Sequence, residues 1–96
     1  MKFLKNKGFS DEEINLIVNK YDEQTISNFS LISDNVEEVM DYLRDFGIRN
    51  VKKLVFDRID IFFIPVFKLN EIFSHYDSEY IIESLDEDPS IFDELD

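Results

Sequence analysis

The sequence contains one histidine, His75, which is the only imidazole available for acid–base chemistry. Its use in catalysis would need a nucleophile or a carboxylate held in a fixed relation to it. Asp77 lies nearby in the sequence, but no catalytic motif accompanies the two side chains. The sequence therefore offers no recognisable set of catalytic residues, and we expect a protein that is not an enzyme.

A run of carboxylates from Asp86 to Asp88 could bind a hard cation such as Ca²⁺, which prefers oxygen ligands. A calcium loop, however, needs ligands at alternate positions and a glycine at its turn, whereas Pro89 follows this run directly. The chain has no cysteine and only two glycines, which excludes thiolate metal sites and a glycine-rich phosphate loop. We therefore expect no bound metal and no cofactor.

Carboxylates recur along one predicted helix at steps of three or four residues, which places them on a single helix face about 5–6 Å apart. They are Asp34, Glu38, Asp41 and Asp45. A second group lies near the end of the chain and comprises Glu83, Asp86, Glu87 and Asp88. The net charge is −12, and segment 71–96 holds ten carboxylates but no lysine or arginine. The pattern predicts an acidic interaction face that attracts a basic protein partner. A solvated surface that only keeps a phenylalanine-rich protein soluble would give the same pattern.

Four cations on the polar side of the third predicted helix form the only candidate surface for phosphate contacts: Arg49, Lys52, Lys53 and Arg58. Such a cluster could position a nucleic-acid backbone. The large negative net charge opposes this function. Pairing with acidic neighbours, such as Asp57 four residues after Lys53, is the ordinary alternative.

Four consecutive apolar residues, Ile61, Phe62, Phe63 and Ile64, cannot all point to one side of a helix. Either other elements pack around the whole segment, or one or two of these side chains are exposed for a partner. Because complete burial is difficult in so small a domain, we expect a hydrophobic contact surface here. A second copy of the chain is one candidate partner.

Capping signals and hydrophobic periodicity predict helices along most of the sequence. Ser10 with Glu13, and Asp34 with Glu37, have the spacing of a capping box, and Gly47 stands where a helix C-cap is expected. Further helices are predicted from Asn50 to about Phe63, around segment 69–76, and after Asp77. A last short turn is predicted to begin at Asp88-Pro89, because proline is favoured at the first position of a helix.

The alternation of Ile59, Ile61 and Phe63 would also suit a strand. Pro65 opposes a central strand and instead indicates a break before a new helix. We therefore predict one all-α domain over residues 1–96, with about five to seven short helices arranged as two to three tandem helix-turn-helix repeats.

Two internal repeats support this arrangement. At an offset of 30, Val51, Val55, Ile61 and Phe62 superpose on Ile81, Leu85, Ile91 and Phe92. At an offset of 39, the pair Leu4 and Gly8 recurs as Leu43 and Gly47. Repeats of this kind bury their apolar faces by stacking against their neighbours.

The repeat strings also carry a family resemblance. Segments 42–48, 51–55, 80–85 and 88–92 resemble the repeat of the mitochondrial transcription termination factor family, and the resemblance extends over residues 43–95. It implies units in which two helices and a short 3₁₀ turn pack as a triangle. The family's characteristic proline is present only as Pro89, and the preceding unit has Ile59 instead. Members of that family bind nucleic acid along a basic concave surface, whereas this chain has no net positive charge, so the resemblance implies a fold more than a function.

The combined pattern predicts a small acidic non-catalytic binding protein. Its concrete form would be an inhibitor of a nucleic-acid-handling protein, because the chain is similar in size and charge to small acidic DNA-mimic inhibitors of the anti-restriction and anti-CRISPR classes. The alternative is a nucleic-acid-binding helical-repeat module that uses the local basic patch. Direct binding to nucleic acid and association with a membrane are not expected.

The location of the protein is predicted from two segments. The basic residues at the start of the sequence are not followed by the apolar core of a signal peptide. The longest apolar stretch, Ile61 to Phe67, is too short to span a bilayer. We therefore expect a cytoplasmic protein, and the frequent Asn, Lys, Asp and Ile residues suggest an AT-rich bacterial or phage genome.

Overall fold

Seven α-helices and two 3₁₀ helices make up the part of the chain, residues 1–95, that the computed structural model describes. The α-helices are α1 (Lys2–Asn6), α2 (Asp11–Lys20), α3 (Glu23–Leu31), α4 (Ser33–Phe46), α5 (Val51–Asp57), α6 (Val66–Phe73) and α7 (Ser78–Glu87). The first 3₁₀ helix (Ile59–Phe63) follows α5, and the second (Pro89–Glu94) follows α7. Residues 1–95 include no β-strand, so the predicted all-α fold is confirmed.

The capping box at the start of α2 is confirmed. The Glu13 backbone N–H donates to Ser10 Oγ at 3.1 Å, and the Ser10 backbone N–H donates to Glu13 Oε1 at 2.8 Å. Asp22 caps α3 in a similar way, because its Oδ1 accepts from the Thr25 backbone N–H at 2.8 Å. These side chains satisfy backbone donors that have no partner within the first turn of a helix.

The capping box predicted at Asp34 is wrong. Helix α4 begins at Ser33, and its N-cap is Ile32, whose side chain cannot cap. Ile32 is also the C-cap of α3, since its N–H donates to Asn28 O while its own carbonyl accepts from Val36 N–H. Because one residue both ends α3 and begins α4, Asp34 lies inside the first turn of α4.

Both glycines terminate helices in the left-handed region, with φ of 94° at Gly8 and 116° at Gly47. At each end the residue after the glycine donates its N–H to a leucine carbonyl five residues earlier, from Phe9 to Leu4 and from Ile48 to Leu43. The side chains of these residues are buried. This is the Schellman arrangement with its usual hydrophobic contact. The predicted C-cap at Gly47 is confirmed, and the repeat at an offset of 39 corresponds to two copies of this helix end.

The predicted continuous helix from Asn50 to Phe63 is wrong, because α5 ends at Asp57 and the chain continues as a 3₁₀ helix from Ile59. Arg58 has φ −140° and ψ 64°, which no helix can accommodate. Tyr21 occupies the space beside this break: its hydroxyl donates to Phe56 O at 2.6 Å and accepts from Ile59 N at 3.5 Å. The predicted new helix after Pro65 is confirmed as α6, with Pro65 as its N-cap.

The repeat at an offset of 30 corresponds to two units that each contain an α-helix, one non-helical residue and a 3₁₀ helix. Helix α5 ends at Asp57 and α7 at Glu87, and the 3₁₀ helices begin at Ile59 and Pro89. Pro89 occupies the first turn of its helix, as predicted. The sequence repeat is therefore a repeat of local structure.

Helix α4 lies at the centre of the fold, where Val36, Val39, Met40 and Leu43 are fully buried. Helices α3, α5 and α6 and the first 3₁₀ helix pack against it. At the end of α4, the Phe46 ring lies 5.1 Å from that of Phe73 in α6, measured between centroids. Within residues 1–95, no helix is long and apolar enough to cross a bilayer.

Candidate functional site

The predicted row of carboxylates on α4 lies on its solvent face, opposite the buried residues. Asp34, Glu38, Asp41 and Asp45 are all exposed. Lys7 Nζ donates to both carboxylate oxygens of Asp41 at 3.0 Å, so the residue that follows α1 supplies the cation that relieves part of the repulsion. Among residues 1–95, the other three carboxylates of the row form no ion pair.

The predicted acidic group near the end of the chain divides into two kinds of carboxylate. Glu83 and Glu87 are exposed on α7, whereas Asp86 is half-buried and its Oδ1 atom has no hydrogen-bond partner within the described chain. Asp88 caps the second 3₁₀ helix, with Oδ1 accepting from the Ser90 hydroxyl at 2.8 Å and the Ser90 backbone N–H at 3.1 Å. These two bonds lower the pKa of Asp88. Asp88 is thus exposed but also caps a helix, and Asp86 is the least exposed carboxylate of the predicted acidic group.

Glu79, which was not among the predicted residues, also belongs to the acidic surface on α7. It is exposed and lies four residues before Glu83, which in turn lies four residues before Glu87, so the three form one row along the helix. Their spacing alone could have identified Glu79 from the sequence. We call this row the α7 acidic row (Glu79, Glu83 and Glu87).

Most of the predicted basic cluster is paired with acidic side chains of the same chain. Lys52 Nζ lies 3.0 Å from Glu13 Oε1, and Lys53 Nζ lies 2.8 Å from Asp57 Oδ2, which confirms the pairing expected at four residues' distance. The hydrogen bond from Lys53 lowers the pKa of Asp57. The pKa of Glu13 is lowered by the Ser10 backbone N–H and, to a smaller extent, by Lys52.

Arg58 connects the two 3₁₀ helices and has little exposed surface. Its Nη2 atom lies 2.9 Å from Asp60 Oδ2 and 2.8 Å from Asp93 Oδ1, and its Nε donates to Asp60 Oδ1 at 3.0 Å. Asp60, followed by the weaker effect of Asp93, raises the pKa of Arg58 against the effect of burial. The guanidinium also lies 5.8 Å from the centroid of the Phe92 ring. We call this set the Arg58 clasp (Arg58, Asp60 and Asp93).

The four predicted cations therefore do not form one phosphate-binding surface. Arg49 is exposed and has no ion pair among residues 1–95, but Lys52, Lys53 and Arg58 are held by carboxylates. A phosphate would have to compete with these carboxylates for each of the three cations.

The predicted hydrophobic contact surface is wrong for two of its four residues. Ile61 and Phe62 lie in the core, where the first 3₁₀ helix packs against α4. Ile64 is half-buried, and Asn35 fixes the backbone on both sides by donating to Phe62 O at 3.0 Å and Ile64 O at 3.2 Å. Phe63 is partly exposed, as expected for one or two rings of the segment.

The histidine and the possible metal ligands of the sequence form no site in the described chain. His75 is exposed two residues beyond the end of α6, and no hydrogen bond or ion pair within residues 1–95 involves its side chain. No cluster of histidine and carboxylate side chains in the described chain has a geometry that could hold a metal ion.

A cleft between α2 and α5 could not be located from the sequence, because two helices form it. Its volume is about 220 Å³. The lining residues are Phe9, Glu13, Leu16, Ile17, Lys52, Lys53 and Phe56. We call it the α2–α5 cleft.

Comparison of this chain with protein-family models, with curated proteins and with solved structures finds no match. The charge distribution and the surfaces described above are therefore the basis for a functional proposal.

Proposed function

We propose that this chain is a small acidic, non-catalytic binding protein that engages a basic protein partner. The contact surface comprises the α7 acidic row and the outer face of α4. In the concrete version of the proposal the partner is a nucleic-acid-handling protein, and the carboxylate rows occupy the groove that normally receives phosphates, so that binding inhibits the partner.

The distribution of ion pairs is the observation that carries this proposal. Within residues 1–95, six of the ten lysines and arginines form ion pairs: Lys5, Lys7, Lys20, Lys52, Lys53 and Arg58. Their carboxylate partners are in the first 60 residues, apart from Asp93. Within the described chain, the α7 acidic row has no such partner, and no lysine or arginine follows Lys68. The anionic charge is thus concentrated where a partner can reach it.

Rows of carboxylates on exposed helix faces suit a basic groove. Adjacent members of each row lie about 5–6 Å apart, so several of them can meet lysine and arginine side chains of the partner at once. Opposite charges on the two surfaces accelerate association and make it sensitive to salt. The pairing of Lys52, Lys53 and Arg58 within the chain argues against direct binding to nucleic acid.

Capture from an extract of the encoding organism tests the proposal. The immobilised protein should retain a basic partner at about 50 mM salt and release it near 200 mM salt or on addition of double-stranded DNA. The double variant Glu83→Lys/Glu87→Lys should lose the partner. The matched control Glu12→Lys/Glu23→Lys, which makes the same charge change on α2 and α3, should keep it.

Two results would contradict the proposal. One is retention of the same partner by the Glu83→Lys/Glu87→Lys variant while circular dichroism shows that it is folded. The other is a shift of DNA or RNA by the chain itself at about 50 mM salt, which would instead support the nucleic-acid-binding alternative. In that case Lys52→Glu/Lys53→Glu should abolish the shift.

A further inference from the structure

Two tyrosine rings stand beside the α7 acidic row, and we call them the tyrosine pair (Tyr76 and Tyr80). Tyr76 lies before α7 and Tyr80 in its first turn. The rings are nearly parallel, with 6.0 Å between their centroids and 24° between their planes, and Tyr80 is 47% exposed. Long side chains of a helix lean toward its N-terminus, so Tyr80 leans toward Tyr76, and Glu83, three residues later, leans toward Tyr80. The ring face of Tyr80 that is turned away from Tyr76 is therefore open to solvent, with a carboxylate beside it.

Elsewhere in the molecule, an aromatic ring beside a carboxylate is covered by a cation of the same chain. Lys20 Nζ lies 4.2 Å from the centroid of the Phe56 ring and 3.6 Å from Asp57 Oδ1. Two other sites have the same arrangement of cation, ring and carboxylate: Lys52 with Phe9 and Glu13, and Arg58 with Phe92 and Asp93. In each of them one cation interacts with the ring and pairs with the carboxylate at the same time.

The tyrosine pair has the ring and the carboxylates of this arrangement but not the cation. Within residues 1–95, no lysine or arginine lies over either ring. The neighbouring carboxylates, Asp77, Glu79 and Glu83, are exposed and form no ion pair in this part of the chain. Arg49 lies across a cleft of about 320 Å³ from Glu79 and Glu83 but pairs with neither. The charge beside the tyrosine pair is therefore negative, and it suits a cation supplied by another molecule.

We propose that the tyrosine pair and Glu83 bind an arginine side chain of the basic partner, with the guanidinium flat on the Tyr80 ring and donating to the Glu83 carboxylate. This inference rests on the proposed function and names the residue type that its acidic surface selects. A planar guanidinium can stack on an aromatic ring while it pairs with a carboxylate. A lysine ammonium is more strongly hydrated and has no plane to stack, so an exposed ring attracts it less.

Two peptides of equal charge test this selection. One consists of four Gly-Ser-Arg repeats and the other of four Gly-Ser-Lys repeats, both with blocked ends. Each should bind the wild-type protein at about 50 mM salt, because attraction to the carboxylate rows depends on charge. NMR titration measures both affinities, and the arginine peptide should bind more tightly and shift the ring resonances of Tyr80.

Substitutions of Tyr80 separate the ring from the charge. Tyr80→Leu removes the ring and should weaken binding of the arginine peptide about two- to fivefold, the effect of one cation–π contact at an exposed site, while the lysine peptide binds nearly as before. Tyr80→Phe keeps the ring and should bind both peptides as the wild-type protein does. Phe67→Leu is the matched control, because Phe67 is a 73% exposed ring that adjoins Lys68 and lies outside the acidic row. It should leave both affinities unchanged.

The outcomes distinguish this inference from the proposed function. If Tyr80→Leu weakens both peptides equally, or neither, the stacked arginine is overturned, whereas the proposed function stands because the acidic rows still bind both peptides. If the wild-type protein binds neither peptide at low salt, the proposed function fails and this site fails with it. If circular dichroism shows that Tyr80→Leu does not fold, nuclear Overhauser contacts between the Tyr80 ring and the arginine side chains in the wild-type complex decide instead, and their absence overturns the inference.

Discussion

Gly8 and Gly47 have the same local role, because each ends a helix in the left-handed region, but their surroundings differ. A β-carbon added at Gly8 would have no heavy atom within 4 Å, whereas one added at Gly47 would lie 2.8 Å from Ile82 Cδ1. An alanine at either position costs the strain of the left-handed conformation, about 1–2 kcal/mol. Only at Gly47 does it also displace a side chain of α7.

We predict that Gly47→Ala lowers the free energy of unfolding more than Gly8→Ala does. The steric excess should be about 1 kcal/mol, at the low end for overpacking, since the Ile82 methyl group is the far end of a flexible side chain. Ile82→Val removes that methyl group. It should therefore lower the free energy of unfolding less in the Gly47→Ala protein than in the wild-type protein. Urea denaturation of the wild-type protein, of Gly47→Ala, of Ile82→Val and of the double variant measures this coupling. The same measurement on Gly8→Ala gives the comparison between the two glycines. Equal costs for the two glycine variants would show that α7 does not pack closely on the end of α4.

At the scale of elements, the Arg58 clasp joins the two units that contain an α-helix and a 3₁₀ helix. The hydrogen bonds from Arg58 hold the pKa of Asp60 below its ordinary value of 3.8. A carboxylate with a depressed pKa in the folded state stabilises the protein above its unfolded-state pKa. This contribution is lost as the pH falls through the folded-state value.

We therefore predict that Asp60→Asn lowers the free energy of unfolding at pH 6, by about 0.5–1 kcal/mol because the Asp60 side chain is largely exposed to solvent. The difference from the wild-type protein should shrink as the pH falls below about 4, where Asp60 becomes protonated in the unfolded chain. Asp45→Asn is the control, since Asp45 is exposed and has no ion pair within the described chain. A difference for Asp60→Asn that stays constant down to pH 3 would mean that the clasp does not stabilise the fold through charge.

The elements that the sequence predicted correctly depend on interactions between residues close in the chain. The Ser10–Glu13 capping box, the C-cap at Gly47 and the break at Pro65 are of this kind. The end of α5 at Asp57 depends instead on Tyr21, which is distant in sequence and pairs with the backbone at the break. Local hydrophobic periodicity cannot predict a contact between residues so far apart in the sequence.

The same distinction between local and distant contacts decides which candidate surfaces the sequence could predict. The acidic rows could be predicted because helical spacing alone places their members on one face. The ion pairing of the basic cluster could not be predicted, because Glu13 contacts Lys52 from α2 and Asp93 contacts Arg58 from the second 3₁₀ helix. The α2–α5 cleft could not be predicted from the sequence either, because it forms only where two helices pack together.

At the scale of the whole molecule, some exposed carboxylates stand where they lower the free energy of unfolding. Glu83 and Glu87 are separated by one helical turn, where like charges repel, and Glu87 is the last residue of α7, where a carboxylate opposes the helix dipole. By contrast, Glu12 and Glu23 lie in the first turns of α2 and α3, where the helix dipole favours them.

We predict opposite effects when these two pairs are neutralised. Glu83→Gln/Glu87→Gln should raise the free energy of unfolding by about 0.5–1 kcal/mol, because it removes one like-charge pair and one unfavourable interaction with the dipole. Glu12→Gln/Glu23→Gln should lower it by a similar amount. Both differences should fade near 1 M salt, where screening acts within about 3 Å. Urea denaturation at low and high salt measures the two changes in the free energy of unfolding and their loss on screening.

A gain in stability for Glu83→Gln/Glu87→Gln would mean that these carboxylates destabilise the helix on which they stand. Exposed residues that weaken the fold are better explained by a contact outside the molecule than by packing within it. The same variant should therefore be more stable and bind the basic partner less well. If it is instead less stable than the wild-type protein, the α7 acidic row supports the fold, and its carboxylates need no external partner to explain them.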